Sequence, residues 1–282
     1  MRIDLHTHST HSDGTDTPAE LVAEAAAAGL DVLALTDHDT FDGLEEARRA
    51  AAATGLAVLP GVEISTQFQG RSVHLLGYGC DPMSARLGAE LARIREGRLT
   101  RIPATLTRLA DLGIPLTWAD VDAHAHGASV GRPHVADAMV AGGYVANRDE
   151  AFDTYLAEGG PAYVERYAAE LIEAIGLVHD AGGAAVIAHV WSRGAERYLT
   201  EPVLADVVDS TGLEGLEVAH PDHPGETRAR LADIADRLGL LTTGSSDYHG
   251  AGKTRNPLGA EVTSPEVLRE LAGRVESRGG SL

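Results

Sequence analysis

The sequence predicts an α/β protein in which parallel strands form a closed barrel with helices on its outside. Seven short β-like runs recur along the chain, and most are followed by a helix-like stretch. Most of these runs are apolar without clean alternation, which is typical of strands buried on both faces of a parallel sheet. The repeated order of strand and helix favours parallel neighbours joined by crossover helices.

The chain begins with the run Arg-Ile-Asp-Leu-His, which is typical of a short strand. The helix "TPAELVAEAAAAGL" follows, with Thr17 as its N-cap, Pro18 in its first turn and Glu20 placed to complete a capping box. The other six strands are expected, in chain order, in "DVLALTDHD", "LAVLPGVEIS", "SVHLLGYG", "GAAVIAHV", "GLEGLEVAH" and "GLLTTGSSDYHG". Helical runs separate several of them, namely "GLEEARRAAAATG", "YAAELIEAIGLVHDAGG" and "TRARLADIADRLG".

The interval from about Asp81 to Tyr167 breaks this alternation. Its segments, which include "ELARIREGRL", "PATLTRLADLG" and "PHVADAMVAGG", are helix-like or turn-like. We therefore expect a barrel domain from residues 1–80 and 168–282, and a helical insertion, residues 81–167, that caps one side of the active site.

Composition narrows the class of protein. Hydrophobic residues make up 44% of the 282 residues and charged residues 23%, as in an ordinary globular protein. The formal net charge of −19 argues against binding duplex DNA, because such binding needs Lys and Arg to neutralise phosphates. A single cysteine, Cys80, excludes an internal disulfide and a cysteine-based metal cluster. Because the chain has no long apolar run and its start lacks the apolar core of a signal peptide, we expect a cytoplasmic protein that does not contact membranes.

Side chains that bind metals occur at or near the ends of nearly all the predicted strands. His6 and His8 are two positions apart on the first strand, so their side chains can point to one spot. In barrels of this kind the active site is built at the C-terminal ends of the strands. A series at equivalent positions is hard to attribute to chance, so we predict a metal centre there. The further candidates are His38, Glu63, His74, His189, His220, Asp247 and His249.

Several segments resemble those of a known family. "DLHTHSTHSDGTDTPAELVAEAAAAGLDVLALTDHDT" closely resembles the opening of the PHP family, named for its polymerase and histidinol-phosphatase members. "GVEIS", "HLLGY", "IAHV" and "GSSDYHG" resemble its later motifs in the expected order, and "GRPHVADAM" and "GGPAYV" look like its small-phosphoesterase branch. The resemblance implies a distorted seven-stranded (β/α) barrel that holds up to three divalent metals. It also implies activity on nucleotides with a terminal phosphate, including nucleoside 3′,5′-bisphosphates, and on short 5′-phosphorylated oligonucleotides.

The resemblance also implies a ligand set. The first metal would be held by His6, His8, Glu63 and Asp247. Glu63 would bridge to a second metal bound by His74 and His189, and a third would be bound by Asp13, His38 and His249. Asp13 stands where some relatives carry histidine. This harder ligand is expected to favour manganese or iron over zinc at that position.

Other residues near the ligands are expected to support them. Asp4, Asp37 and Asp39 are candidates for fixing the tautomers of the imidazoles, although Asp37 and Asp39 could instead cap a turn. His11 is expected in an exposed loop. Three histidines in helix-like stretches are expected on the surface: His124, His126 and His179.

Four residues are candidates for binding the substrate. Arg132 and His134 lie at a predicted helix start, where phosphate is favoured, and arginine adds a bidentate fork. His223 and Lys253 follow two of the predicted strands and are further candidates. The expected partner is a small phosphorylated substrate, a nucleotide or a short oligonucleotide.

The charges of the predicted site suit hydrolysis of a phosphate ester. Three divalent cations would bring six positive charges, and Asp13, Glu63 and Asp247 would return three negative ones. A bound metal lowers the pKa of its water from ~15.7 toward ~7, so a metal-bound hydroxide can attack phosphorus at neutral pH. Three alternatives remain at this point: an amidohydrolase-type reaction on the same metals, a histidinol-phosphatase-like phosphatase, and a metal-binding domain without activity.

Overall fold

The structure, a computed structural model, describes residues 1–125 and 130–282. Seven strands follow one another in the sheet in the order β1-β2-β3-β4-β6-β7-β8, and β5 pairs with β3 outside this path. The strands are β1 (Ile3–Thr7), β2 (Val32–Leu35), β3 (Ala57–Phe68), β4 (Arg71–Tyr78), β5 (Ala169–Glu170), β6 (Ala184–Ile187), β7 (Gly215–Ala219) and β8 (Leu241–Gly244).

Ten α-helices accompany the sheet in the described ranges. They are α1 (Pro18–Ala27), α2 (Leu44–Ala51), α3 (Ala85–Asp111), α4 (Trp118–Asp122), α5 (Arg132–Ala141), α6 (Arg148–Ala151), α7 (Leu171–Asp180), α8 (Glu201–Thr211), α9 (Gly225–Leu238) and α10 (Pro265–Ser277). Short helical turns of other kinds span Phe152–Leu156, Ser192–Arg197 and Gly250–Lys253.

The two ends of the sheet meet, so the barrel is nearly closed. The segment after β1 pairs with the segment after β8 through a parallel bridge between Thr7 and Tyr248. The His8 N–H donates to the Tyr248 carbonyl oxygen across this seam at 2.9 Å. The predicted α/β barrel of seven main strands is therefore confirmed, with β5 as a two-residue strand that the sequence does not indicate.

The first helix forms for the reasons visible in its sequence. The Thr17 hydroxyl accepts from the Glu20 N–H at 3.2 Å, and the Glu20 carboxylate accepts from the Thr17 N–H at 2.8 Å. This is the predicted capping box, with Pro18 at the helix start. Leu21 and Val22 are buried on the face that packs toward β2 and α2.

The prediction of a wholly parallel sheet is wrong at β4. This strand is antiparallel to both β3 and β6, whereas the other neighbours along the barrel path are parallel. β3 and β4 form a hairpin with a two-residue turn at Gln69 and Gly70, whose φ angles are +52° and +74°. Positive φ at both turn residues matches the twist of a hairpin. Because β4 runs in reverse, His74 near its beginning lies at the same barrel end as the C-terminal ends of the parallel strands.

The segment between β4 and β5 is helical, as predicted. It contains α3 to α6, and apolar residues from its described parts, Ile102 to Ala125 and Val130 to Ala162, form a separate hydrophobic cluster. The first half of α3 packs instead with β3, β4 and α7 through Leu87, Leu91 and Ile94. The division into a barrel domain and an insertion stays a prediction. No helix in the described part of the chain combines the length and the apolar character that a bilayer crossing requires.

Candidate metal centre

Glu63 of β3 lies at the centre of a group of histidines. Its Oε2 atom is 3.2 Å from Nε2 of His6, 3.2 Å from Nε2 of His8 and 3.0 Å from Nδ1 of His38. Three histidines therefore approach the same carboxylate oxygen: His6 in β1, His8 just after β1 and His38 after β2.

The other oxygen of Glu63 faces a second pair of imidazoles. Its Oε1 atom is 2.7 Å from Nδ1 of His74 and 3.1 Å from Nε2 of His189. The hairpin register explains the first of these contacts. Because Ser65 is opposite His74, Glu63 and His74 share one face of the hairpin as diagonal neighbours. Glu63 is thus placed to bridge two groups of nitrogen donors, as the family resemblance implies.

Two aspartates complete the cluster. Oδ1 of Asp247 is 3.5 Å from Nε2 of His6 and 3.4 Å from Nε2 of His8. Asp13 lies in the loop after β1, where its Oδ1 is 3.2 Å from Nε2 of His249. All of these carboxylates are buried.

The donor atoms fall into three groups whose members lie within 4.8 Å of one another. One group contains the set predicted for the third metal, and another contains the set predicted for the first metal except Glu63; His8 belongs to both. In the remaining group His38, rather than His189, accompanies Glu63 and His74. Eight of the nine predicted ligands thus fall in these groups, and the ninth, His189, contacts Glu63. The groups are His6, His8 and Asp247; His8, Asp13, His38 and His249; and His38, Glu63 and His74.

Three buried nitrogens of this cluster support cation binding. Nε2 of His6, Nε2 of His8 and Nδ1 of His38 make no hydrogen bond to any residue that the structure describes. Buried polar atoms are nearly always hydrogen-bonded, so three such atoms directed at shared carboxylates need another partner. Imidazole and carboxylate donors are those that divalent transition metals accept. The residues present fit a divalent metal centre.

The ionisation states of the carboxylates suit metal binding. Burial raises the pKa of Glu63, but the adjacent His38 and His74 outweigh it and hold this pKa well below its usual value. The pKa of Asp247 is likewise well below its usual value, because Lys253 and His6 outweigh the effect of burial. Burial lowers the pKa of His38, whereas the adjacent carboxylates raise the pKa of His8 to about 9 and that of His6 well above its usual value, so metal binding would displace protons from His6 and His8. Anionic carboxylates and neutral imidazoles are the forms that bind metals.

Glu217 of β7 is a buried carboxylate that the sequence analysis missed. Its Oε1 accepts from Nδ1 of His6 at 2.9 Å and from the Ser245 hydroxyl. Its Oε2 accepts from the His189 N–H at 2.6 Å. By accepting the Nδ1 proton, Glu217 leaves Nε2 of His6 free to face the cluster. The only signal in the sequence is an acidic residue within the apolar run "GLEVA".

The three predicted supporting aspartates stabilise the surrounding loops. Asp4 accepts from backbone N–H groups after β8, and Asp39 accepts from the Ser65 N–H at 2.7 Å. Asp37 accepts from the Ser12 hydroxyl, which lies 3.3 Å from Nδ1 of His8. Among the described contacts, none of the three accepts directly from the imidazole of a ligand. Their predicted effect on tautomers is therefore at most indirect, through Ser12.

His220 orients a ligand. Its Nδ1 accepts from the Asp222 N–H at 3.0 Å, so its Nε2 carries the proton and donates to Asp247 at 3.2 Å.

The backbone at Asp247 has a φ of +52°, and His189 also has a positive φ, +28°. Left-handed conformations are uncommon outside glycine and cluster at functional sites.

An open cavity of about 870 Å³ adjoins the cluster. Arg132 and Lys253 line it, and Lys253 donates to Asp247. His134 and His223 are not among the lining residues. Nδ1 of His134 accepts from the Gly131 N–H at 3.0 Å and thereby caps α5, and Nδ1 of His223 donates to the Val218 carbonyl at 2.9 Å. Direct contact of these two histidines with a substrate in the cavity is therefore not supported.

The remaining histidines lie outside the groups of metal donors in the described structure. His11 and His124 are partly buried in turns. His179, predicted at the surface, is also partly buried, and its imidazole donates to Glu214 at 3.0 Å. His126 is outside the described residues.

The fold and the site together define a barrel metallohydrolase. The PHP domain model matches residues 4–77. A 3′,5′-nucleoside bisphosphate phosphatase of Chromobacterium violaceum is 38% identical over 98% of this chain and 97% of its own length. A 5′-3′ exoribonuclease of Haemophilus influenzae is 37% identical over 88% and 90%. The crystal structure of a metal-dependent phosphoesterase from Bifidobacterium adolescentis superposes with a TM-score of 0.91 at 39% identity, covering 96% of each chain. The chain belongs to the PHP family and is a metal-dependent phosphoesterase.

Proposed function

We propose that this chain removes the 3′-phosphate of nucleoside 3′,5′-bisphosphates, or cleaves short 5′-phosphorylated oligonucleotides, at a centre of two or three divalent cations. The observation that carries the proposal is the cavity, in which basic side chains directly adjoin the metal donors. The basic lining is notable in a chain with a net charge of −19. The relatives named for a nucleoside bisphosphate and for RNA support a nucleotide substrate.

Manganese, iron or zinc ions, when bound, would lower the pKa of a coordinated water and neutralise charge on the phosphate. We assign the first ion to His6, His8, Glu63 and Asp247; this is supported by the donor group of His6, His8 and Asp247 and by the contacts of Glu63 with both histidines. The ammonium group of Lys253 lies at the edge of this group, where it holds Asp247 and faces the cavity. Lys253 is therefore placed to bind the negative charge of the scissile phosphate.

A screen of phosphate release tests the proposal. We expect Mn²⁺-dependent release from a nucleoside 3′,5′-bisphosphate and from a short 5′-phosphorylated oligonucleotide. Faster hydrolysis of amide substrates, with no release of phosphate from any ester, would instead support the amidohydrolase-type alternative.

The third metal depends on Asp13 in this proposal. Asp13→Ala removes the carboxylate that contacts His249 and is expected to lose about one metal equivalent, while the other ions stay bound. Elemental analysis of the purified variant measures this change. His11→Ala, in the same loop and outside the donor groups, is the matched control. Full metal content in Asp13→Ala would leave Asp13 only a role in the turn.

Arg132 is proposed to bind the phosphate that is not cleaved. It begins α5 and lines the cavity, where its guanidinium also donates to the Leu156 carbonyl at 3.0 Å. Arg132→Ala is expected to reduce kcat/KM for a bisphosphate by roughly 10- to 150-fold, because a hydrogen bond to a charged group contributes about 1.5–3 kcal/mol. The reduction for p-nitrophenyl phosphate should be much smaller, because that substrate has one phosphate.

Steady-state kinetics on both substrates check this expectation, with the exposed Arg49→Ala as the control. Equal losses on both substrates would place Arg132 at the scissile phosphate. No loss on either would remove Arg132 from substrate binding.

A further inference from the structure

Arg101 of α3 is a buried arginine with no ion-pair partner in the described part of the chain. Only 5% of its surface is exposed, and it lines the cavity beside the metal centre. Its Nε atom is buried and makes no hydrogen bond to any residue that the structure describes. The guanidinium pairs with no carboxylate within residues 1–125 and 130–282. A charged side chain is rarely buried in a protein without a partner of opposite charge.

The arginines around Arg101 increase its need for an anion. Burial and the positive charges of Arg132, Arg166 and Arg98 all lower the pKa of the Arg101 guanidinium. Arg98 donates to Asp39 at 2.6 Å, so its charge is already compensated. Arg166 and Arg132 are bonded only to backbone carbonyl oxygens in the described structure, at 2.9 Å and 3.0 Å. Three cavity arginines, Arg101, Arg132 and Arg166, therefore have no carboxylate partner among the described residues.

Two acidic residues of the cavity wall have ion-pair partners elsewhere. Glu158 pairs with Arg71 at 3.0 Å, and Asp149 pairs with Arg255 at 2.7 Å. Asp39, outside the cavity lining, is held by Arg98 and by Ser65. The three arginines are next to the metal donors, because they line the same cavity as His38, Glu63 and His74.

We infer that Arg101, together with Arg132 and Arg166, forms an anion site for a second phosphate of the substrate, separate from the phosphate held at the metals. The inference rests on the proposed function and deepens it, because it moves the main anchor of that phosphate from Arg132 to Arg101. A planar guanidinium with unused donors can bind two oxygens of one phosphate at once. The site therefore selects nucleotides with two phosphate groups.

Kinetics on a matched pair of substrates test the site. Arg101→Met preserves much of the side-chain volume and removes the charge. For adenosine 3′,5′-bisphosphate, kcat/KM is expected to fall at least about 10-fold more than for adenosine 3′-monophosphate, which carries the same scissile group. Arg86→Met, an exposed position on the same helix, is the control and should leave both values unchanged. Equal reductions for the two substrates would overturn the inference.

A binding measurement separates this inference from the proposed function. Adenosine 5′-monophosphate carries only the second phosphate, and its affinity for the metal-loaded enzyme can be measured by calorimetry without any turnover. Arg101→Met should weaken this binding at least about 10-fold. Unchanged binding would overturn the anion site even if the enzyme hydrolyses bisphosphates. Lost binding would support the site even if no phosphate ester is hydrolysed.

Thermal unfolding excludes a merely structural role for Arg101. Without a ligand, Arg101→Met should melt at the same temperature as the wild type or higher, because the change removes an unpaired buried charge. A clear decrease in Tm together with unchanged nucleotide binding would mean that Arg101 only supports the fold and would overturn the inference. If Arg101→Met does not fold, Arg101→Lys is the alternative variant. It keeps the charge but removes the planar guanidinium that binds two oxygens at once, so Arg101→Lys is expected to lose nucleotide binding in part.

Discussion

A Glu63→Gln enzyme is expected to lose at least one metal equivalent and more than about 100-fold of its activity, with little loss of fold. Glutamine keeps the volume of the side chain but removes the charge between two groups of imidazoles. Replacing a group that only orients a ligand already costs 10- to 100-fold in affinity or activity, so losing a bridging ligand should cost more. Metal analysis and phosphate-release kinetics measure the two effects.

The control for this experiment is Glu45→Gln, a change at an exposed carboxylate of α2. The two variants should have similar circular dichroism spectra, because glutamine occupies the same space as the glutamate that it replaces. Wild-type metal content together with wild-type turnover in Glu63→Gln would contradict the bridging role and with it the proposed multinuclear centre.

The second large effect is expected at Glu217, which touches no cavity surface in the described structure. Glutamine has only one accepting oxygen. In Glu217→Gln its NH2 group would therefore face another donor, either Nδ1–H of His6 or the N–H of His189. We expect a 10- to 100-fold loss of metal affinity, typical for the partner of a metal-binding histidine. Competition with a fluorescent chelator gives the affinity.

Glu214→Gln is a matched control for Glu217→Gln. Glu214 is also buried, and it accepts from the Ala185 N–H at 2.6 Å and from His179, away from the metal cluster. Both changes should reduce the free energy of unfolding, because Glu217→Gln leaves a buried donor unsatisfied and Glu214→Gln removes the charge that pairs with Arg278. Only Glu217→Gln should reduce metal affinity. Equal metal affinities in the two variants would show that Glu217 supports the fold alone.

Most of the proposed metal ligands could be predicted from their positions in the sequence. They follow or lie within short apolar runs, and the side chains at a barrel's strand ends meet at one place. Asp13, in the polar segment after the first strand, was predicted only from the family resemblance. His74 fits this rule only because its strand is reversed. The composition of an apolar run does not show whether the strand is parallel or antiparallel to its neighbours. The antiparallel pairing of β4 could therefore not be predicted from the run itself.

The roles of Glu217 and Arg101 could not be predicted from the sequence, for a different reason. Glu217 is one acidic residue within a strand, and Arg101 is one of several arginines in α3. What distinguishes both is what lies around them in three dimensions: Glu217 has donors on two sides, and Arg101 has no acceptor within the described structure. Neither property has a local pattern in the sequence. Similarly, the helix start at Arg132 was predictable, but the role of His134 in capping that helix was not.

The hairpin of β3 and β4 has a consequence for the order in which the chain folds. Glu63 and His74 are only 11 residues apart and meet across a two-residue turn, so their pairing requires the closure of a short loop. His6 and Asp247 come from opposite ends of the sheet and meet only when the seam between Thr7 and Tyr248 closes. Local contacts form sooner because closing a longer loop costs more entropy. The contact between Glu63 and His74 can therefore form early in folding, whereas the contact between His6 and Asp247 forms only when the last strand joins the sheet.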